Sequence, residues 1–195
     1  MEELAPGLHR WTARHPEWRP APERDTPADW PPDVGCVAYE APDALVLVDP
    51  LIEEWAPLDA LVERHGRPVI VLTTMRFHRR GREEVAARYG AELRTHTEPP
   101  PAGVRRVPVT GMDESMVYLE APRALVPGDR LIGDGAGGVR PCPPSWMRYL
   151  PGPPDANALR AALAPLLELP VEAVLVSHGD PVLSGGGAAL RAALE

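Results

Sequence analysis

The sequence contains no lysine and no glutamine, and Asn157 is its only asparagine. All 20 basic residues are therefore arginine. The lack of lysine excludes a lysine nucleophile, a Schiff-base lysine and a lysine general base. Arginine stays protonated, so these residues can bind anions but are poorly suited to proton transfer.

Cysteine and long apolar runs are also scarce. Cys36 and Cys142 stand more than a hundred positions apart, match no metal-binding or redox spacing, and are expected to be buried free thiols. No apolar run approaches the roughly 18 residues that cross a bilayer, and the first ten residues lack the pattern of a signal peptide. A net charge of −8 argues against binding nucleic acid or anionic membranes. We therefore expect a cytoplasmic protein without a nucleic-acid or membrane partner.

Residues 1–33 combine tryptophans with many prolines. The tryptophans are Trp11, Trp18 and Trp30, and the prolines are Pro6, Pro16, Pro20, Pro22, Pro27, Pro31 and Pro32. Proline disfavours long helices and central strands, whereas disordered segments are poor in aromatic residues. The composition predicts an extended arm over 1–33, held by its indole rings, followed by a single domain over 34–195.

Strand and helix patterns alternate after this segment. Apolar runs at 44–49 and 69–73 predict strands, while helical spacing predicts helices at 57–65 and 82–89. The stretch 133–154 is dense in glycine and proline, which predicts a surface loop. Alternating elements exclude all-α and all-β folds.

Four segments in this order resemble landmarks of the metallo-β-lactamase superfamily. Leu45–Asp49 resembles the early strand that ends in an aspartate, and Val69–Thr74 the strand before the T-H-x-H-x-D-H metal loop. Val126–Leu131 is similar to the G-D-x-L segment, and Val174–Gly179 to the last strand and its P-G-H-G-type loop. The resemblance implies an α+β fold, the four-layer αββα sandwich.

The metal-binding motif of that superfamily is degenerate here. If Thr74 matches the family threonine, the loop's three histidines and its aspartate are replaced by Met75, Phe77, Arg79 and Arg80. If Thr73 is the match, the replacements are Thr74, Arg76, Arg79 and His78. A further family histidine falls near 111–113, where Met112 stands.

Only Asp129 and His178 remain at positions that the resemblance assigns to metal ligands. A catalytic zinc normally takes three protein ligands, so we expect no tightly bound metal and no dinuclear site. Zinc stays an alternative if the loop brings in His78, with Asp113 or Asp49 assisting. Without metal, His178 could act as a general base that Asp129 orients.

The loop also concentrates positive charge at Arg76, Arg79 and Arg80, just before a predicted helix. Guanidinium groups and free helix N–H groups favour anions, so these arginines could replace metal charge, pair with Asp129 and bind an anionic small molecule. The alternative is a solvated basic patch paired with Glu83 and Glu84.

Three functional hypotheses follow. The first is an inactive or weakly active hydrolase-like protein, or pseudoenzyme, whose residual chemistry would use Asp129 and His178 with one weakly held metal or none. The second is a non-catalytic domain that binds an anionic small molecule. The third is an interaction protein whose function lies in residues 1–33. One version of this hypothesis is that the protein forms a homodimer. Fold alone does not decide among them.

Overall fold

The computed structural model describes residues 1–21, 29–95, 97–109, 114–150, 152–153 and 155–195. The strands in chain order are β1 (Glu2–Ala5), β2 (Leu8–Arg14), β3 (Asp33–Glu40), β4 (Leu45–Val48), β5 (Val69–Leu72), β6 (Glu92–Arg94), β7 (Val104–Pro108), β8 (Ser115–Leu119), β9 (Ala124–Val126), β10 (Leu131–Gly133), β11 (Val139–Pro141) and β12 (Ala173–Val174). The α-helices are α1 (Ala56–His65), α2 (Arg82–Tyr89), α3 (Pro144–Met147), α4 (Ala156–Leu163) and α5 (Gly186–Leu194). Two 3₁₀ turns cover Arg76–His78 and Ala164–Glu168.

Ten of these strands form two mixed sheets. The first sheet has the order β1-β2-β3-β4-β5-β6, antiparallel as far as β4 and parallel from β4 to β6. The second has the order β12-β9-β8-β7, in which only β12 and β9 are parallel. Strands β10 and β11 form a separate antiparallel pair.

Strand β4 shows how the sequence separates the layers. Its side chains alternate between the two faces of the sheet, as in any β-strand. Leu45 and Leu47 pack with Leu58 of α1 on one face. Val46 and Val48 pack on the other face in a core shared by both sheets. A wholly apolar strand is thus buried on both sides, as expected for an inner strand of a sheet whose two faces are both covered.

The second sheet is covered in the same way. Val117 and Leu119 of β8 face the first sheet, whereas Met116 and Tyr118 pack in a third core with residues of α4 and α5, including Leu159. Helices on each outer face of two packed sheets give the order α/β/β/α. The predicted four-layer αββα sandwich is confirmed.

The N-terminal residues correct the prediction of an arm over 1–33. Strand β2 pairs with β3 along its whole length, from Leu8 opposite Tyr39 to Arg14 opposite Asp33. The prolines that predicted an arm lie outside this strand: Pro6 is in the turn before it and Pro16 follows it. Residues 2–5 and 8–14 therefore belong to the first sheet.

Within the glycine- and proline-rich stretch 133–154, residues 133–150 contain more regular structure than the composition predicts. It contains β11 and α3, and the side chain of Trp146 within α3 is buried in the core. The prediction of a surface loop is wrong for these elements, because proline is compatible with the first turn of a helix, where Pro144 stands. No helix in the described part of the chain is long and apolar enough to cross a membrane.

Candidate metal centre

Polar side chains gather where strands of both sheets end. Asp49 follows β4 and Thr74 lies just beyond β5, while Asp129 follows β9 and His178 comes after β12. The fifth residue, His78, closes the short 3₁₀ turn behind β5. All five are buried despite their polarity. Buried polar groups require partners, so their contacts are informative.

Asp49 holds His78 in place. Its Oδ1 accepts a hydrogen bond from the Thr74 backbone N–H at 2.9 Å, and its Oδ2 accepts one from the Thr74 hydroxyl at 2.6 Å. Oδ2 also lies 2.8 Å from Nδ1 of His78. The backbone of Asp49 has φ of 49°, a conformation that few non-glycine residues adopt. This conformation fixes where the carboxylate stands and, through it, the His78 ring.

The other nitrogen of His78 faces Asp129. His78 Nε2 lies 2.9 Å from Oδ1 of Asp129, and His178 Nε2 lies 3.3 Å from the same oxygen. Ligand atoms of His78, Asp129 and His178 all lie within 4.8 Å of one another. These three residues form what we call the HDH cluster.

The charges within the cluster shift two pKa values in opposite directions. Burial and the charge of Arg80 act to lower the pKa of His78, but the carboxylates of Asp129 and Asp49 outweigh them and raise it to about 9. Burial acts to raise the pKa of Asp129, but the two histidines hold it well below its usual range. In the absence of a metal, His78 is therefore a cation between two carboxylates at neutral pH.

Two buried atoms of the HDH cluster make no hydrogen bond within the described residues. They are Oδ1 of Asp129 and Nδ1 of His178. Nε2 of both histidines lies within 3.3 Å of Oδ1, which is the distance of an ion pair, but neither contact has the full geometry of a hydrogen bond. The ring nitrogens and the carboxylate oxygen thus share a small buried volume and interact mainly through their charges.

Aromatic rings surround His178 and open onto a cavity. The rings of Trp30 and Trp146 meet His178 edge-on, with centroids 5.5 and 5.3 Å away. The HDH cluster borders a cavity of about 410 Å³. The residues that line it are His15, Glu17, Trp30, Val34, Phe77, His78, Arg80, Asp129, Trp146, Tyr149, Leu150 and His178.

The three arginines of the loop are placed differently. Arg80 lines the cavity, and its Nη1 donates to the carbonyl oxygens of Gly35 and Asp49, both at 3.1 Å. Arg76 is exposed and donates to the carbonyl oxygen of Tyr149 at 3.3 Å. Arg79 is exposed and does not line the cavity. No ion pair joins any of them to Asp129 among the residues that the structure describes.

Some site residues were not foreseen from sequence, and one falls outside the structure's described part. His15, Trp30 and Trp146 lie in segments predicted as an arm and a surface loop, and no motif marks them. Asp49 was foreseen only as an assisting residue, although its position at a strand end is the signal that Asp129 shares. Asp113, which the sequence suggested as an assisting metal ligand, lies outside the described residues.

Solved structures of known proteins share this architecture. The DIM-1 metallo-β-lactamase superposes with a TM-score of 0.61, at 11% identity over 98% of this chain and 96% of that one. The chain has the metallo-β-lactamase fold. TTHA1623, solved in a di-iron-bound form, gives a TM-score of 0.55 at 19% identity, over 80% of this chain and 92% of that one. A metallo-β-lactamase family protein from Thermus thermophilus, TTHA1429, gives 0.51 at 16% identity, over 97% and 79%.

No protein-family model matches the sequence, and no curated protein is significantly similar to it. At these identities the structural likeness establishes the metallo-β-lactamase fold and not an activity. The HDH cluster could hold a metal ion, and its members are those of the alternative in which the loop brings His78 to Asp129 and His178.

Proposed function

We propose that this protein binds one divalent metal ion through His78, Asp129 and His178 and acts as a mononuclear hydrolase on the metallo-β-lactamase fold. The observation that carries the proposal is the meeting of three buried ligand atoms within 4.8 Å at the edge of a cavity. Catalytic zinc sites use three protein ligands and leave a further position open. Two imidazoles and one carboxylate also suit iron.

The chemistry of the cluster fits a cation. Oδ1 of Asp129 is buried, has no hydrogen bond of full geometry, and has Nε2 of both histidines within 3.3 Å. A metal ion would satisfy it together with Nε2 of both histidines. The Asp49 carboxylate already accepts from Nδ1 of His78 at 2.8 Å, which is the partner that metal-binding histidines usually have.

One ion is proposed rather than two. In the loop after β5, Met75 is buried and offers a thioether, while Phe77 offers no ligand atom. Arg79 and Arg80 carry positive charge, which repels a cation. Among the described residues, the HDH cluster is the only group of histidine, cysteine and carboxylate side chains that could hold a metal.

Each residue around the cluster has a distinct part in this proposal. A bound ion would supply Lewis acidity toward a carbonyl or phosphoryl oxygen of a substrate. Thr74 fixes the Asp49 carboxylate, and Asp49 keeps Nε2 of His78 directed away from itself. Trp30 and Trp146 fix the plane of the His178 ring and exclude water from one side of the cluster. Esters, thioesters, lactones and phosphoesters are the bonds such a centre would cleave.

Metal content is the first test. Protein purified without chelator, and again after dialysis against zinc, should contain about one metal ion per chain. His178→Ala should lose it, whereas His9→Ala, which removes a buried histidine outside the cluster, should keep it. Zinc-loaded protein should then hydrolyse at least one ester, thioester, lactone or phosphoester, and His178→Ala should not.

Two results would contradict the proposal. One is the absence of metal from both samples, and the other is its retention in His178→Ala. Either would favour an inactive relative of the hydrolases. Anion binding would then depend on Arg80, the loop arginine that lines the cavity.

A further inference from the structure

The cavity beside the HDH cluster has one wall made of aromatic side chains. Trp30 and Trp146 lie next to His178, and Phe77 and Tyr149 continue the lining. Together these four residues form what we call the aromatic wall. Phe77 and Tyr149 are 49% and 52% exposed, which makes them two of four exposed large apolar side chains among the described residues. Exposed aromatic groups at a cavity are typical of surfaces that contact a ligand.

The cavity offers little free charge outside the HDH cluster. Apart from the phenol of Tyr149, its remaining ionisable lining residues are His15, Glu17 and Arg80. Nη1 of Arg80 donates to two backbone carbonyl oxygens, while its Nε is buried and makes no hydrogen bond within the described residues. Burial, and next the charge of Arg80, lower the pKa of His15, so this ring is neutral at neutral pH. One acidic and one basic residue, the latter held by the backbone, do not select a strongly charged ligand.

The volume suits a small molecule. About 410 Å³ lies within the range of roughly 300–1,000 Å³ in which proteins bind small ligands, mostly through apolar lining with few polar groups. Here the polar end is the HDH cluster and the apolar end is the aromatic wall. A ligand that fills both has one apolar group and one polar group a few atoms apart.

We propose that the aromatic wall is the specificity subsite of this protein and accepts the apolar, preferably aromatic, acyl group of an uncharged ester-type substrate. This inference rests on the proposed function for the position of the bond that is cleaved. Trp30 is the specificity-determining residue, because its ring packs edge-on against both His15 and His178. The ring centroids are 5.1 and 5.5 Å apart, respectively. The N-terminal segment, through His15, Glu17 and Trp30, thereby becomes part of the substrate site.

The test compares phenylacetamide with acetamide, two uncharged probes that differ in one phenyl ring. Dissociation constants are measured by NMR titration of metal-free protein and again of zinc-loaded protein. Phenylacetamide should bind about 10-fold or more tightly than acetamide, as expected for burial of an aromatic ring. Phenylacetate, which has the same ring and a negative charge, is the third probe.

Three variants locate the binding site. Trp30→Ala and Phe77→Ala should each weaken phenylacetamide binding by about 5-fold or more, since each removes part of the ring's contact surface. Phe77 is half exposed, so its replacement preserves folding even if that of Trp30 does not. Trp55→Ala is the matched control, because Trp55 packs against Tyr89 and does not line the cavity. It should bind phenylacetamide as the unchanged protein does.

Equal affinities for phenylacetamide and acetamide would overturn the inference, as would unchanged binding in both Trp30→Ala and Phe77→Ala. Binding of phenylacetate without binding of phenylacetamide would also overturn it, in favour of an anion site. Selective phenylacetamide binding by a protein that takes up no zinc would leave the aromatic subsite standing while the metal proposal fails. The two proposals therefore fail separately.

Discussion

Two groups of histidines and carboxylates in this protein have similar composition but different surroundings. The HDH cluster joins two histidines to Asp129. The second group, which we call the Glu40 cluster, joins His9 and His65 to Glu40 near the protein surface and adds Arg64. Only the first is arranged as a metal site among the residues that the structure describes.

The two clusters differ in the cation that lies beside the carboxylate. Oε1 of Glu40 lies 2.8 Å from His9 Nε2 and accepts a hydrogen bond from Arg64 Nη2 at 2.6 Å. Burial acts to raise the pKa of Glu40, but these two partners lower it on balance. A guanidinium is always charged and cannot be displaced by deprotonation, so Glu40 is satisfied without metal. Oδ1 of Asp129 has only imidazole nitrogens beside it, and an imidazole can give up its proton and bind a cation.

The largest expected effect concerns the charge of His78 in metal-free protein. Its pKa is raised from 6.5 in the unfolded chain to about 9 in the folded protein. The associated stabilisation is complete below pH 6.5 and is lost as the pH rises through about 9. The free energy of unfolding should fall by on the order of 3 kcal/mol over that interval.

Urea unfolding of chelator-treated protein at several pH values measures this loss. His78→Gln, which cannot be protonated, should remove the pH dependence even though it also lowers stability. A free energy of unfolding that stays flat, or rises, between pH 6.5 and about 9 would show that no imidazolium occupies the position proposed for the metal.

The second-largest expected effect is a loss of zinc affinity, which should occur in the HDH cluster and not in the Glu40 cluster. Asp49→Asn should weaken zinc binding by about 10- to 100-fold, because Asp49 orients His78 and increases its basicity. Glu40→Gln makes the same chemical change in the Glu40 cluster and should leave zinc affinity unaltered. Competition with a chromogenic chelator measures both. Equal losses in the two variants would mean that zinc binds elsewhere or that the general charge of the protein controls its affinity.

The sandwich itself was predictable from the sequence, because its signal is local. Four short segments in order resemble landmarks of the metallo-β-lactamase superfamily, and that resemblance implied the sandwich and assigned Asp129 and His178 to ligand positions. The position of His78 was not determined, because it depends on the 3₁₀ turn Arg76–His78, and no side chain in that turn specifies its start. The loop's register was therefore left open.

The sequence did not predict that N-terminal residues line the cavity, for a different reason. The prediction treated 1–33 as one proline-rich segment, although residues 8–14 within it contain no proline. The ring of Trp30 reaches His178 only because β2 and β3 bring residues 15 and 33 to the same end of the first sheet. Such a contact depends on tertiary structure and leaves no periodic trace in the sequence.

A smaller effect is expected from adding a β-carbon at the glycine that packs against Thr74. Gly128 has φ of 62°, and a β-carbon there would lie 3.1 Å from Thr74 Oγ1. Gly90 has φ of 65°, and a β-carbon there would meet nothing within 4 Å. Alanine should cost about 1 kcal/mol at either position through backbone strain. Only Gly128→Ala should also weaken zinc binding, since it displaces the hydroxyl that holds Asp49.

Thermal unfolding and the same zinc competition distinguish these two alanine variants. If Gly128→Ala retained full zinc affinity, the path from Thr74 through Asp49 to His78 would not control the metal centre. The support that Asp49 gives His78 would then not be what distinguishes the HDH cluster from the Glu40 cluster.

The smallest effect is expected at the Glu40 cluster. Arg64→Ala removes a side chain that is 61% exposed, and surface ion pairs contribute about 0–1 kcal/mol. The free energy of unfolding in urea should therefore change by less than about 1 kcal/mol. The freed carboxylate should still bind no zinc, because His65 Nδ1 lies 3.6 Å from Oε2 while His9 contacts Oε1, so the ligands do not converge.

The metal content of Arg64→Ala decides which feature separates the two clusters. A second zinc ion per chain would show that the guanidinium alone keeps the Glu40 cluster free of metal. An unchanged metal content would instead assign the difference to the geometry that β4, β5 and β9 impose on the HDH cluster.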